Sequence, residues 1–155
     1  MLAFDSIDRK ILDFLQANGR ASNLELAQAV GLSPAQSHRR HRRLEELGVI
    51  ARYETRLDAA QLGLHVVAFI HVAMERGHAS KIDTFKSGVM NLPQVLECYS
   101  VTGDFDYVIK VVERDLKSLS QFLMDTLMTL PGVSNVRSSV CLDEIKNTGS
   151  LPLPG

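Results

Sequence analysis

Residues 32–50 read LSPAQSHRRHRRLEELGVI. Ser33, Pro34 and Gln36 together form a helix start: the serine caps, the amide three residues on reaches back, and proline at the first helical position is pre-set for the helix. Gly48 marks its end. On a wheel of about 100° per residue, Arg39, Arg43, Gln36 and Arg40 fall on one side with Arg42 and Ala35 flanking them. Ser37, His41 and Leu44 take the opposite side. This helix therefore has one basic face and one face to bury.

Two shorter apolar-periodic segments precede it. Ile7, Ile11, Phe14 and Leu15 repeat at helical spacing, with Asp5 or Ser6 as the cap and Gly19 as the stop. Leu24, Leu26, Ala27 and Val30 form a second helix, capped by Asn23 and ended by Gly31. Two short helices joined by a glycine-containing turn predict a helix-turn-helix, with the arginine-bearing helix in the recognition position. The following VIARYETRLD (49–58) alternates enough to suggest a strand pair or wing, and AAQLGLH (59–65) reads as a connector.

Beyond residue 64 the character changes. HVVAFIHVAM (65–74), QVLECYSV (94–101), FDYVIKVV (105–112) and VSNVRSSVCLDEI (133–145) are rich in β-branched and aromatic residues and read as strands. ASKIDTFKSGVMN (79–91) carries Ile82, Phe85 and Val89 on one helical stripe. DLKSLSQFLMDTLMTL (115–130) carries Leu116, Leu119, Leu123, Leu127 and Leu130 on another. The order β-α-β-β-α-β predicts a ferredoxin-like half. In the first and third strands both alternating sets are mainly apolar, so the face without helices needs a cover, and a second copy of the chain is the simplest one.

The expectation is an α+β chain. Residues 1–60 form an N-terminal winged helix-turn-helix domain, 61–147 a C-terminal ferredoxin-like βαββαβ domain for dimerisation and effector binding, and 148–155 a C-terminal tail. Its 155 residues suffice for such a core, and no stretch offers the roughly 18 uninterrupted apolar residues that a bilayer span needs. MLAFDSIDRK lacks the pattern of a secretory leader, which predicts a cytoplasmic protein with no membrane partner. Cys98 and Cys141 stand far apart, without metal-ligand spacing, and are expected to be buried thiols; no metal, cofactor or catalytic set is expected.

Net charge is −1, yet residues 1–60 hold nine Lys/Arg, four of them in the window 38–43. Positive charge gathered on one element attracts polyanions whatever the total. A solvated helix face is the plain explanation of such a run. Its place on the third helix of a helix-turn-helix, with amide and basic side chains near the helix start, favours double-stranded DNA. The expected contact set is Asn23, Ser33, Ala35, Gln36, His38, Arg39, Arg40, Arg42 and Arg43, with Arg39 and Arg43 the most outward and Arg40 and Arg42 meeting phosphates. His41 lies on the inward face and reads as a partly buried neutral imidazole, whereas His38 sits at the boundary.

In TGDFDY (102–107) two readings are equally open on the residues alone. One is a tight hairpin in which Gly103 takes positive φ and Asp104 caps. In the other, glycine-turn N–H groups bind a carboxylate and a nearby Asp binds an ammonium, which suits a free α-amino acid.

The segments IDRKILDFLQANGRASNLELAQAVGLS, RRLEELGVIARYETRLD, VTGDFDYVIKV and LPGV (130–133) resemble, in order and over nearly the whole chain, the leucine-responsive and asparagine-operon (Lrp/AsnC) family of regulators. The resemblance implies a DNA-binding transcription factor with an amino-acid-sensing domain, assembled as homodimers and often octamers. It also implies an effector at the dimer interface beside the 102–107 turn, on Thr102, Gly103, Asp104 and also Asp106 and Tyr107. His38 and His41 stand where such proteins usually carry aliphatic residues, and Gln36 where proline is frequent. Siroheme decarboxylase subunits resemble the same two-part architecture and provide an enzymatic alternative; a DNA-architectural protein without an effector is a third.

Overall fold

The computed structural model describes residues 4–75 and 79–154 and divides into two compact units. One comprises the chain up to Arg56 together with Lys146 onward; the other runs from Leu57 to Ile145.

In the first unit, α1 (Ser6–Ala17) starts at Asp5, whose carboxylate accepts from the N–H groups of Ile7 and Asp8. The next helix, α2 (Asn23–Val30), is capped by Ser22 rather than by Asn23: Ser22 and Glu25 bond reciprocally, side chain to backbone, in a capping box. That serine–glutamate spacing of three outcompetes the asparagine, which becomes the first helical residue. Gly31, at φ +70°, ends α2 and leads directly into α3 (Pro34–Glu46) with its Ser33–Gln36 capping box. Asn23 Nδ2 donates to the Pro34 carbonyl at 3.0 Å, fastening the start of α2 to the start of α3. Ile11, Leu26 and Leu44 are fully buried at the centre, one from each helix, with Leu12, Leu15 and Val30 around them. Burying a side chain of this size stabilises by about 1.5–3 kcal/mol each relative to leaving it exposed, which is why three short helices hold together.

The expected wing is not formed as a strand pair. Residues 51–58 take no helix or strand assignment and pair with no strand among the described residues. Alternation supplies a face, but a strand also needs a partner for its N–H and C=O groups.

In the second unit, β1 (Val66–Met74), β2 (Val95–Ser100), β3 (Tyr107–Glu113) and β4 (Val133–Val140) form an antiparallel sheet in the order β2-β3-β1-β4. With α4 (Ala79–Met90) and α5 (Leu116–Gln121) this is the ferredoxin-like arrangement. Ala68, Ile70 and Val72 of β1 and Tyr107, Ile109 and Val111 of β3 bury against Phe85 and Val89 of α4 and Leu119 of α5. The helix expected to run to Leu130 changes pitch instead: α5 passes into a π turn (Phe122–Thr126) and a 3-10 turn (Leu127–Thr129). Phe122 and Leu127, five apart, are thereby both buried, while Leu116 is left 63% exposed.

On the sheet's other face the register aligns Val67 with Val112, Phe69 with Lys110 and His71 with Val108. This face, mainly apolar, carries a charged pair in its midst: Lys110 and Glu97 at 3.2 Å. Of the two thiols expected to be buried, Cys98 is exposed on edge strand β2, whose flank no further strand covers among the described residues, and Cys141 is half-buried.

Candidate DNA-contacting face and effector cleft

The buried residues of α3 are Ser37 and Leu44, which fix its inward face. Ala35, His38, Arg39 and Arg42 then form the outward stripe at helical spacing, all exposed, with Gln36 and Arg43 beside it. Ser33 and Gln36 are also exposed, but their polar atoms serve the capping box.

Arg40 does not belong to this stripe. Its Nη1 lies 2.8 Å from Asp5 Oδ2 and 2.8 Å from Asp8 Oδ1, which clamps α3 to the first turn of α1. The Asp8 side chain is 2% exposed, so its carboxylate is tolerable only as part of a pair. Arg43 reaches the other oxygen of Asp8 at 3.4 Å while remaining half-exposed, so it is less free to point outward than the wheel suggests. The backbone N–H of Asp8 and then the Arg40 guanidinium hold the Asp5 carboxyl below its ordinary pKa. Arg40, expected at a phosphate, is drawn inward by a buried carboxylate in this structure. Asn23, half-buried with its amide given to Pro34, is likewise occupied in the fold. Arg42 pairs with Glu46 at 3.2 Å on the open surface, a contact weak enough to be exchanged for another anion.

His41 is held by Tyr53, a residue outside its helix. Its Nε2 is 2.5 Å from the Tyr53 hydroxyl, which donates to Glu45 Oε1 at 2.9 Å. Burial of the hydroxyl end, and then the Glu45 carboxylate, push the Tyr53 pKa up to about 12. The partner of His41 is a side chain beyond the helix, which no helical spacing could have disclosed.

At the end of the sheet, the 102–106 turn borders a cleft of about 290 Å³ lined by His71, Val101, Thr102, Asp104, Phe105 and Val108. Gly103 adopts φ +119°, a region that side-chain-bearing residues rarely enter. Asp104 is exposed and has no hydrogen-bond partner among the described residues, so its carboxylate can meet a cation. Val101, Phe105 and Val108 supply an apolar wall, and the His71 ring lies 5.3 Å from that of Phe105. His71 shares the open face with Val67 and Phe69, a parity legible in HVVAFIHVAM.

Two expected effector residues have other tasks. Tyr107 is 7% exposed and turned to the helix side of the sheet, its ring 4.8 Å from Phe85. Asp106 ties the turn to β1: its carboxylate accepts from Met74 N–H at 2.7 Å and its own N–H donates to the Val72 carbonyl at 2.9 Å. Thr102 and Asp104 line the cleft, with Gly103 between them in the turn.

Comparison with known proteins is consistent with both halves. Residues 4–45 match the AsnC-type helix-turn-helix domain and residues 67–151 the Lrp/AsnC ligand binding domain. The chain is 40% identical over 147 residues to a leucine-responsive regulatory protein of Klebsiella pneumoniae, covering 95% of this chain and 90% of that one. It is 39% identical over the same length and coverage to the protein of that name in Escherichia coli K12. Among solved structures, a transcriptional regulator of Neisseria meningitidis in complex with L-Met superposes with a TM-score of 0.94 at 38% identity, covering 97% of each chain. An AsnC family regulator of Agrobacterium tumefaciens gives 0.91 at 32% identity, covering 96% and 97%.

Proposed function

Because the chain belongs to the Lrp/AsnC family of transcriptional regulators, we propose that it reads double-stranded DNA through the outward stripe of α3 and answers to a free α-amino acid held at the 102–104 turn. The observation that carries the DNA reading is the sorting of the arginines. Arg40 is drawn into the fold by Asp8, while Arg39 and Arg42 stay exposed beside Ala35 and His38. Arginine in the major groove forms paired hydrogen bonds to guanine, and at the groove's edge it meets phosphate.

For the effector, Thr102 and Asp104 line the cleft beside the Gly103 turn, where a carboxylate suits the turn's N–H groups and an ammonium the Asp104 carboxylate, and an apolar wall takes a side chain. The Neisseria relative was solved with L-Met, which supports an apolar amino acid of that size here. The open sheet face supports a homodimer, and the family resemblance an octamer made of four such dimers, acting in the cytoplasm where DNA lies. The histidines of α3 lend no support to the enzymatic alternative, since His38 is exposed and His41 is held by Tyr53.

The test is selection of duplexes from a random pool, followed by titration of the selected duplex with and without L-methionine. Enrichment of one sequence, and an affinity that shifts with L-methionine, are the expected results. Binding that shows no sequence enrichment leaves an architectural protein; enrichment with no response to any of the amino acids removes the effector.

A further inference from the structure

The chain passes between its two units twice. It leaves the DNA-binding unit at Arg56, builds the sheet, and returns at Lys146. The two passages are neighbours at both ends. In the sheet, Cys141 N–H donates to the Val67 carbonyl at 2.9 Å; in the DNA-binding unit, Arg56 Nη1 donates to the Asn147 carbonyl at 2.9 Å.

The returning segment is seated in a built groove. Gln16, at the end of α1, grips both backbone groups of Leu151: its Nε2 donates to the carbonyl at 3.2 Å and its Oε1 accepts from the N–H at 2.5 Å. A side-chain amide used this way imitates one rung of a β ladder and demands an extended residue. The sequence LPLP supplies that, because a residue before proline is driven to extended backbone and proline itself has little freedom to lose. Leu153 then packs on the hydrophobic cluster of α1–α3, and Gly149 lies where a Cβ would meet the Arg56 guanidinium at 2.8 Å.

We propose that residues 147–153 are a second tether that transmits the state of the effector domain to the DNA-binding unit; the transmission, though not the docking, rests on the effector reading above. The two passages lie side by side at both ends, so a shift of β4 against β1 has a second covalent route to α1 and to residues 52–56. The groove is filled by its own chain because the short span from Val140 gives the segment a high effective concentration there.

The test uses the full chain, a chain ending at Ile145, full-length Gln16→Ala, and a peptide of residues Lys146–Gly155. The peptide is expected to bind the shortened chain, and to bind its Gln16→Ala form roughly tenfold more weakly, as loss of two neutral hydrogen bonds implies. In the full chain L-methionine shifts affinity for the selected duplex. In the shortened chain that shift falls below about twofold while calorimetry returns the same affinity for L-methionine, and full-length Gln16→Ala, which keeps the segment and the core, reproduces part of the loss. A peptide that does not bind overturns the docking, and an undiminished L-methionine shift in the shortened chain overturns the transmission. Absence of binding of L-methionine and of every other amino acid to the full chain overturns the effector reading and the transmission with it, whereas the peptide titration still decides the docking.

Discussion

Nη1 of Arg40 lies 2.8 Å from Oδ1 of Asp8, so the most densely basic stretch of the chain is anchored by a carboxylate thirty-two residues upstream. Arg40→Ala removes the better of the two cations facing a carboxylate that is 2% exposed. Breaking a buried pair from one side costs about 3–5 kcal/mol, and Arg43 at 3.4 Å offsets part of it, so a loss of about 2–4 kcal/mol is expected in urea unfolding. Arg42→Ala, at an exposed pair, is expected to stay within about 0.5 kcal/mol. Equal stabilities for the two variants would contradict the clamp.

The same sorting separates the arginines in DNA binding. Arg39 is nearer the start of α3, where recognition helices reach base edges, so Arg39→Ala is expected to cost about 1–3 kcal/mol on the selected duplex and to relax preference at one base pair. Arg42→Ala is expected to weaken binding to selected and random duplex alike and to lower the slope of log K against log salt by about one unit. Salt titrations of both variants on both duplexes decide this. Wild-type binding by both would leave the stripe a merely solvated face.

The three helices and four strands are legible because their signals are local. Ser33-Pro34-Gln36 and Gly31 act within a few residues, and the alternation of Ala68, Ile70 and Val72 needs only a period of two. What stays hidden depends on pairing across the fold. The wheel gives Arg40 a direction but not a partner, and Asp8 reads as one more polar residue in IDRKIL until α1 and α3 meet. Residues 51–58 alternate but find no neighbouring strand, so alternation there gives no ladder. The π turn at 122–126 shifts the leucine stripe by a residue that no helical period contains. Tyr107 was legible all along: it shares its parity with Ile109 and Val111, which assigns it to the core and not to the cleft.

At the cleft, Gly103 and Asp106 are expected to fail differently. A Cβ at Gly103 meets nothing within 4 Å, so the penalty of Gly103→Val is conformational, of order 1–3 kcal/mol at φ +119°, and it reshapes the turn that would hold the effector. L-methionine binding should be lost while DNA affinity persists. Asp106→Ala leaves the Met74 N–H without its acceptor and should lower stability by about 1–2 kcal/mol. Calorimetry paired with thermal unfolding checks both; unchanged L-methionine affinity in Gly103→Val would leave the turn a hairpin and nothing more.

Tyr53 gives a signature in alkali. Its phenol is pushed up to about 12 in the folded chain against about 10 unfolded, so the unfolded state releases its proton first. The stabilisation is complete below pH 10 and is lost as pH rises from about 10 towards 12. Glu45→Gln removes the carboxylate that accepts the hydroxyl and should move the Tyr53 midpoint down, read as tyrosinate absorbance against a Tyr53→Phe control. An unmoved midpoint would assign the whole shift to burial.

The open sheet face carries the last prediction. Val67, Phe69, Val108 and Val112 form an apolar strip on a face that carries neither α4 nor α5, and Phe69 is 40% exposed. Lys110 and Glu97 neutralise one another within it, so the face is closer to a protein interface than to a solvated surface. A chain of residues 57–145 is expected to be dimeric in light scattering at micromolar concentration. Phe69→Glu places a charge at the centre of the strip, opposite Lys110, while Ala68 and Ile70 keep the core intact. It should yield a folded monomer, since the substituted side chain points away from α4 and α5. A wild-type monomer of the fragment would show that this face needs no second copy, and a Phe69→Glu dimer would place the contact elsewhere on the unit.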